Sequence, residues 1–140
     1  MPEENKATFM NGGWCRSGDL GYITEDRRIY FVGRKKFIIR VGSYTVLPSE
    51  VEEVVIQHPK VAMAAAVGFP DKIYNEVVWL AIVPKAGQNI DEQEIINLCK
   101  EELADFKVPK KVIIRKKLPI TRLAKIDRPT LQKELLKHHK

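Results

Sequence analysis

Between Gly33 and Glu50 the chain reads Gly33-Arg-Lys-Lys-Phe-Ile-Ile-Arg-Val-Gly42-Ser-Tyr-Thr-Val-Leu-Pro-Ser-Glu50. The basic cluster Arg34, Lys35 and Lys36 runs directly into an apolar, β-prone segment, Phe37 to Val41, that stops at Gly42. A second extended run, Tyr44 to Leu47, follows, and Pro48-Ser49-Glu50 then opens a helical pattern. This order predicts a two-stranded ribbon turning at Gly42-Ser43, with cations at one end and a helix N-terminus at the other. By itself such a ribbon fits the surface of many α/β proteins, so the rest of the chain has to decide its use.

Ser17-Gly18-Asp19 reads as a turn, Thr24 to Arg27 as a hairpin turn and Ile29 to Val32 as the returning strand. Beyond the ribbon, Pro48 to His58 carries a helix capped by Ser49, with Val51, Val54 and Val55 on one face and Glu50, Glu52 and Glu53 near its positive end. Val61 to Val67 reads as a buried strand. Its Ala64-Ala65-Ala66 favours helix, but the short length and the breakers Gly68 and Pro70 favour strand. Val77 to Val83 is a second strand stopped by Pro84, and Asp91 starts a helix reaching about Ala104 with Ile95, Leu98, Cys99 and Leu103 as its stripe. Lys111 to Arg115 is a short strand, Pro119 to Lys125 an irregular loop and Arg128 to Lys137 a closing amphipathic helix. The expected fold is therefore α/β (α+β): a compact three-stranded sheet covered by helices, with the two-stranded ribbon projecting from it.

At 140 residues, 44% hydrophobic and 30% charged, the composition is that of a globular chain with one ordinary core. No apolar run approaches the roughly 20 residues of a membrane span, and Met1 to Lys6 lacks signal-peptide order, so a cytoplasmic location is expected. Cys15 and Cys99 have no second pair for a disulfide framework or a zinc site, and His138-His139 sit at the tail, so no metal ligands are assigned. The net charge of +6 raises the possibility of a nucleic-acid-binding module. Lysines and arginines do crowd the chain from Lys107 to Lys140, opposed only by Asp127 and Glu134, but no aromatic residue lies among them. Stacking platforms for bases are missing there, and the charge suits a small polyanion at least as well as a polymer. Trp79 and Tyr74 read as packing residues, and His58 as a cation ending its helix.

Three stretches in order, Trp14-Cys-Arg-Ser-Gly-Asp19-Leu-Gly, Gly33 to Glu50 and Leu118-Pro-Ile-Thr-Arg-Leu-Ala-Lys125-Ile-Asp-Arg128, resemble the C-terminal end of the adenylate-forming superfamily. That superfamily includes the acyl-CoA synthetases, firefly luciferase and the adenylation domains of peptide synthetases. The resemblance runs from about Gly12 to about Leu136. It implies residues 1–33 as the tail end of a large N-terminal domain and 34–140 as the C-terminal lid of the acyl-CoA synthetase fold. It also implies an acid–thiol ligase that uses ATP with Mg2+, a carboxylic acid and CoA, and a fragment inactive without the large domain. A carrier-protein-loading adenylation domain is the alternative within the same superfamily.

Residue by residue, the resemblance makes Asp19 the acceptor of ribose hydroxyls and Arg34 a contact to the ribose or phosphate side of ATP. Lys36 falls at the hinge, where torsions change as the lid swings. Lys125 matches the catalytic lysine, whose ammonium group stabilises negative charge on the phosphoryl oxygens as pyrophosphate leaves. The family usually has glycine before this lysine, whereas here Ala124 stands there. If the φ of that residue is positive, a strain of about 1–2 kcal/mol follows. Gly42 and Arg40 match positions of the thioester-forming step, where a glycine lets the phosphopantetheine arm pass close to the backbone. Without the large domain, Trp14, Ile23, Ile29 and Phe31 are expected to expose apolar surface and drive self-association.

Overall fold

The computed structural model describes residues 19–34 and 37–138, and the chain divides after Lys36 into two compact units. In the first, strands β1 (Asp19–Ile23) and β2 (Ile29–Arg34) form an antiparallel hairpin. Its turn lies where the polar run Thr24 to Arg27 predicts it: Thr24 N donates to Arg28 O at 2.9 Å and Arg27 N to Thr24 O at 2.8 Å.

The second unit contains β3 (Ile39–Val41), β4 (Tyr44–Val46), helix α1 (Pro48–Ile56), β5 (Val61–Asp71), β6 (Asn75–Pro84), helix α2 (Glu92–Glu102), β7 (Lys111–Ile114) and helix α3 (Arg128–His138). β6 pairs antiparallel with β5 along its whole length, from Val61↔Pro84 to Asp71↔Asn75, and parallel with β7 from Trp79↔Lys111 to Ile82↔Ile114. This is the expected three-stranded body. The predicted ribbon is β3 and β4, paired Ile39↔Val46 to Val41↔Tyr44 around Gly42-Ser43. Rather than standing free, it is pinned to the start of β6 by the bridge Val41↔Asn75 and by Gly42 N donating to Tyr74 O at 2.7 Å. The sheet thereby reaches five strands.

Alternation along β5 and β6 divides the core in two. Ala64, Ala66, Val78, Leu80 and Ile82 face Val51 and Val55 of α1 and Ile95 and Cys99 of α2. Ala65, Val67 and Ala81 face Leu131 and Leu135 of α3, together with Leu118. This explains the alanine run: a strand buried on both faces needs small side chains where helices approach closely. Burial also pushes the Cys99 thiol up to about 11, so it is a packed, unreactive sulfhydryl.

β5 runs past the points where Gly68 and Pro70 were expected to stop it, while β6 ends at Pro84 as expected. A Cβ at Gly68 would stand 2.8 Å from Glu76 Oε1, so any other residue there would have to push that carboxylate aside. Pro70 is tolerated because β5 is an edge strand, where its missing N–H breaks no second ladder. The start of α1 also differs from the expected Ser49 cap. Leu47 is the extended residue before the helix, Pro48 takes the first helical position, and Glu50 Oε2 accepts from Leu47 N at 3.1 Å. His58 lies beyond the last turn of α1, and its Nδ1 accepts from Lys60 N at 3.2 Å.

Ala65 is fully buried under α3, which makes it a test of the two-sided core. Substituting Ala65→Leu should destabilise the chain by about 1–3 kcal/mol through overpacking, read as a lower urea midpoint. An unchanged midpoint would show that α3 does not pack as closely as described.

Candidate functional site

The hairpin register places Asp19 opposite Arg34, at the open end of β1 and β2. The two positions that the sequence assigned to one nucleotide are thus cross-strand partners, although they stand apart in the chain. Arg34 is exposed. Lys36, Trp14 and the Ser17-Gly18 part of the upstream turn lie outside the described residues.

Lys125 is exposed, and the loop that carries it is more regular than its sequence suggests. Ile120 and Ile126 form an antiparallel bridge, Thr121 N donates to Lys125 O at 2.6 Å and Ala124 N donates to Thr121 O at 3.0 Å. Ala124 has φ 60°. This is a tight hairpin: a turn over Thr121 to Ala124, then one left-handed residue that returns the chain to the bridge. Glycine suits that position because it has no Cβ to clash, and alanine there carries the strain anticipated from sequence, about 1–2 kcal/mol. The hairpin nevertheless closes, so its exposed lysine stands on the returning limb just after the turn, its backbone held against Thr121.

The base of this hairpin is anchored. Asp127 N donates to Pro119 O at 2.9 Å, and Asp127 Oδ1 accepts from Thr130 N at 3.1 Å, which caps α3. Arg128 directs both terminal nitrogens at Glu52 of α1.

At the far end of the sheet, Gly42 turns the ribbon with φ 61°. Positive φ at the first of the two turn residues is the type II′ pattern. Arg40 is exposed on β3, and its N–H donates to Glu76 Oε2 at 2.9 Å. Gly42 opens onto a cavity of about 330 Å³ whose walls include Tyr44, Tyr74, Phe106 and Lys110. Tyr44 and Phe106 stack at 4.2 Å between centroids, and Lys110 Nζ lies 6.0 Å from the Tyr74 ring. Aromatic walls with an ammonium group at the rim suit a flat or thin organic group that carries negative charge.

Tyr74, assigned to packing from the sequence, is therefore a cavity residue, and Phe106 was not singled out at all. The only signal for Tyr74 was an aromatic in the β5–β6 turn. That turn is fixed by Asp71, whose Oδ1 accepts from Ile73 N at 2.8 Å and Tyr74 N at 2.9 Å. These bonds hold the Asp71 carboxyl below its usual value of 3.8. Because the folded value is depressed, the turn is fully held above that ordinary value and loosens only as pH falls through the lower, folded one.

Among the described residues no three His, Cys, Asp or Glu side chains are grouped to hold a metal ion. The Mg2+ that the resemblance implies finds no such group among them.

Residues 50–125 match the family of AMP-binding enzyme C-terminal domains. The oxalate–CoA ligase of Arabidopsis thaliana is 41% identical over 135 residues, covering 96% of this chain and 26% of that protein. Among solved structures, ATP-bound MatB from Rhodopseudomonas palustris matches with a TM-score of 0.91 at 32% identity, covering 100% of this chain and 28% of that one. The o-succinylbenzoate CoA synthetase from Bacillus subtilis, solved with its acyl-adenylate intermediate, matches with a TM-score of 0.83 at 34% identity, covering 91% and 26%. The chain thus spans about a quarter of the length of the relatives it matches.

Replacing Ala124 with glycine should relieve about 1–2 kcal/mol of left-handed strain. About 0.4–1 kcal/mol of that is offset by the freer unfolded chain, so Ala124→Gly should raise the urea midpoint and Ala124→Val should lower it. The opposite order of the two variants would remove the left-handed assignment.

Proposed function

The chain belongs to the family of AMP-binding enzyme C-terminal domains, and on that premise we propose that it serves as the mobile lid of an ATP-dependent acyl-CoA ligase. The observation that carries this reading is the hairpin that fixes the backbone of Lys125 just after its turn while leaving the residue exposed. In the first step a carboxylate oxygen of the acid attacks the α-phosphorus, and pyrophosphate leaves as the bond to the β-phosphate breaks. Negative charge grows on the phosphoryl oxygens, and the Lys125 ammonium, brought up by lid closure, opposes it without exchanging a proton. Asp19 accepts from the ribose hydroxyls, and Arg34 supports the same nucleotide.

In the second step the thiol of CoA attacks the acyl carbon, AMP leaves and the thiol proton passes to solvent. The lid then presents its other face, with Gly42 and the cavity beside it toward the pantetheine arm and Arg40 toward its charged end. Lys36 is the pivot in this reading, which the division of the chain after Lys36 supports. Residues 1–33 then complete the large domain, which supplies the acid pocket, ATP, Mg2+ and most of the chemistry in the cytoplasm. A carrier-borne pantetheine in place of CoA would use the same cavity, and the identity of the acid, whether fatty or short, lies with the large domain.

Two outcomes follow. Ile23 and Ile29, 70% and 78% exposed, should make the isolated chain self-associate as concentration rises, and a constant monomer mass in sedimentation would count against that. Joined in place of the C-terminal quarter of the Bacillus subtilis o-succinylbenzoate CoA synthetase, the chain should support ATP–pyrophosphate exchange with o-succinylbenzoate. Lys125→Gln should then lower that exchange by about 10²–10³-fold while leaving thioester formation from added acyl-adenylate nearly intact. Equal loss in both steps, or no loss in the first, would overturn the reading.

A further inference from the structure

We infer that Arg128 is a positioning residue for Lys125, fastening the base of the lysine hairpin to α1, to the edge of β5 and to the first residue beyond the break between the two units. The inference rests on the role given above to Lys125, and it concerns how that lysine is held.

Arg128 stands three residues after Lys125, at the start of α3. Its two terminal nitrogens engage both oxygens of Glu52, with Nη2 at 2.9 Å from Oε2. Both side chains are about four-fifths buried, at 19% and 18% exposure. The pair also closes on β5: Glu52 Oε1 accepts from Ala66 N at 2.9 Å, and Arg128 Nη1 donates to Ala66 O at 3.1 Å. β5 is an edge strand, so at Ala66 the ion pair does what a neighbouring strand would do, one partner taking the N–H and the other giving to the carbonyl. Finally, the guanidinium carbon lies 5.7 Å from the centroid of the Phe37 ring. Phe37 is the first residue of the second unit.

From the root of the hairpin one guanidinium therefore touches three separate parts of the chain: α1, β5 and the segment that begins at Phe37. A planar fork fixes direction as well as distance, which a single ammonium cannot do. The position of Lys125 relative to Phe37 is then set by packed groups rather than by a loose loop. A displacement of about 1 Å can cost a reaction about 10²-fold, so the first step depends on this fastening and the second, which does not use Lys125, does not.

The test has two readouts. By hydrogen exchange on the whole chain, Arg128→Gln should speed exchange of the Thr121 and Asp127 amides, which close the hairpin, by about 10-fold or more, as expected when a local unit opens independently. Arg128→Lys, which keeps the charge and the fold, should fall between, and the Leu80 and Ile82 amides of β6 should not change. In the chimeric synthetase, Arg128→Gln should lower pyrophosphate exchange by about 10-fold with the KM for ATP within about twofold, leaving thioester formation from added acyl-adenylate within about twofold. Unchanged Thr121 and Asp127 amides, or equal acceleration in β6, would overturn the inference, as would parallel loss of both steps. If Lys125→Gln fails to affect the first step, the proposed function itself falls. If Lys125→Gln acts and Arg128→Gln does not, only the positioning role falls.

Discussion

Strand β6 is hydrogen-bonded on both edges and packed on both faces, and every functional element of the second unit takes its position from it. β5 lies along one edge. On the other edge, β7 takes the later residues and the ribbon takes the first. The two halves of the core, under α1 and α2 on one side and α3 on the other, lie on opposite faces of β5, β6 and β7. Burying a leucine such as Leu80 or Leu131 contributes about 1.5–3 kcal/mol, so this layer is stiff enough to carry distant loops as one body. The ribbon tip at Gly42 and the lysine hairpin are both extensions of that body, one reached through Asn75 and the other through α3.

In the proposed reading, a lid that serves two steps needs two faces whose mutual geometry does not change, and the fold holds the ribbon and the lysine hairpin by different means. At the ribbon, two main-chain amides suffice: Gly42 N donating to Tyr74 O and Arg40 N donating to the Glu76 carboxylate hold the turn against the start of β6. The lysine hairpin lies off the sheet, where no strand can pair with it. There a charged pair, Glu52 with Arg128, replaces the missing ladder. Breaking a pair this buried is costly, since the partner left behind keeps its charge without compensation.

The layer structure was readable because it follows from period and punctuation. Ile39 and Val41 alternate with Arg40, Pro48 can only begin a helix, and Asp91 caps one with its carboxylate on Gln93 N. The length of β5 was not readable, because Gly68 and Pro70 are breakers unless a particular neighbour needs the space or an edge excuses the missing donor. Neither condition is written locally. The tight hairpin at Lys125 escaped for a related reason: its left-handed residue is Ala124, and alanine gives no sign of positive φ. The cavity stack of Tyr44 on Phe106, and the ion pair between positions 52 and 128, depend on contacts across 62 and 76 residues of chain, which no spacing rule connects.

Ala124 bears on how tightly the lysine must be held. A glycine before the lysine would let the hairpin close without strain, but it would also leave the backbone freer to sample other shapes. Alanine narrows that choice while tilting the balance against the one conformation in which Lys125 is paired with Thr121. The bridge Ile120 to Ile126 and the bonds from Thr121 oppose that tilt from inside the hairpin, but each is exposed and of ordinary strength, near 1 kcal/mol. The larger restraint therefore has to come from outside it, at the hairpin root. The strained residue and the buried arginine are in this sense one device: the first limits what the hairpin can become, and the second decides where its tip points.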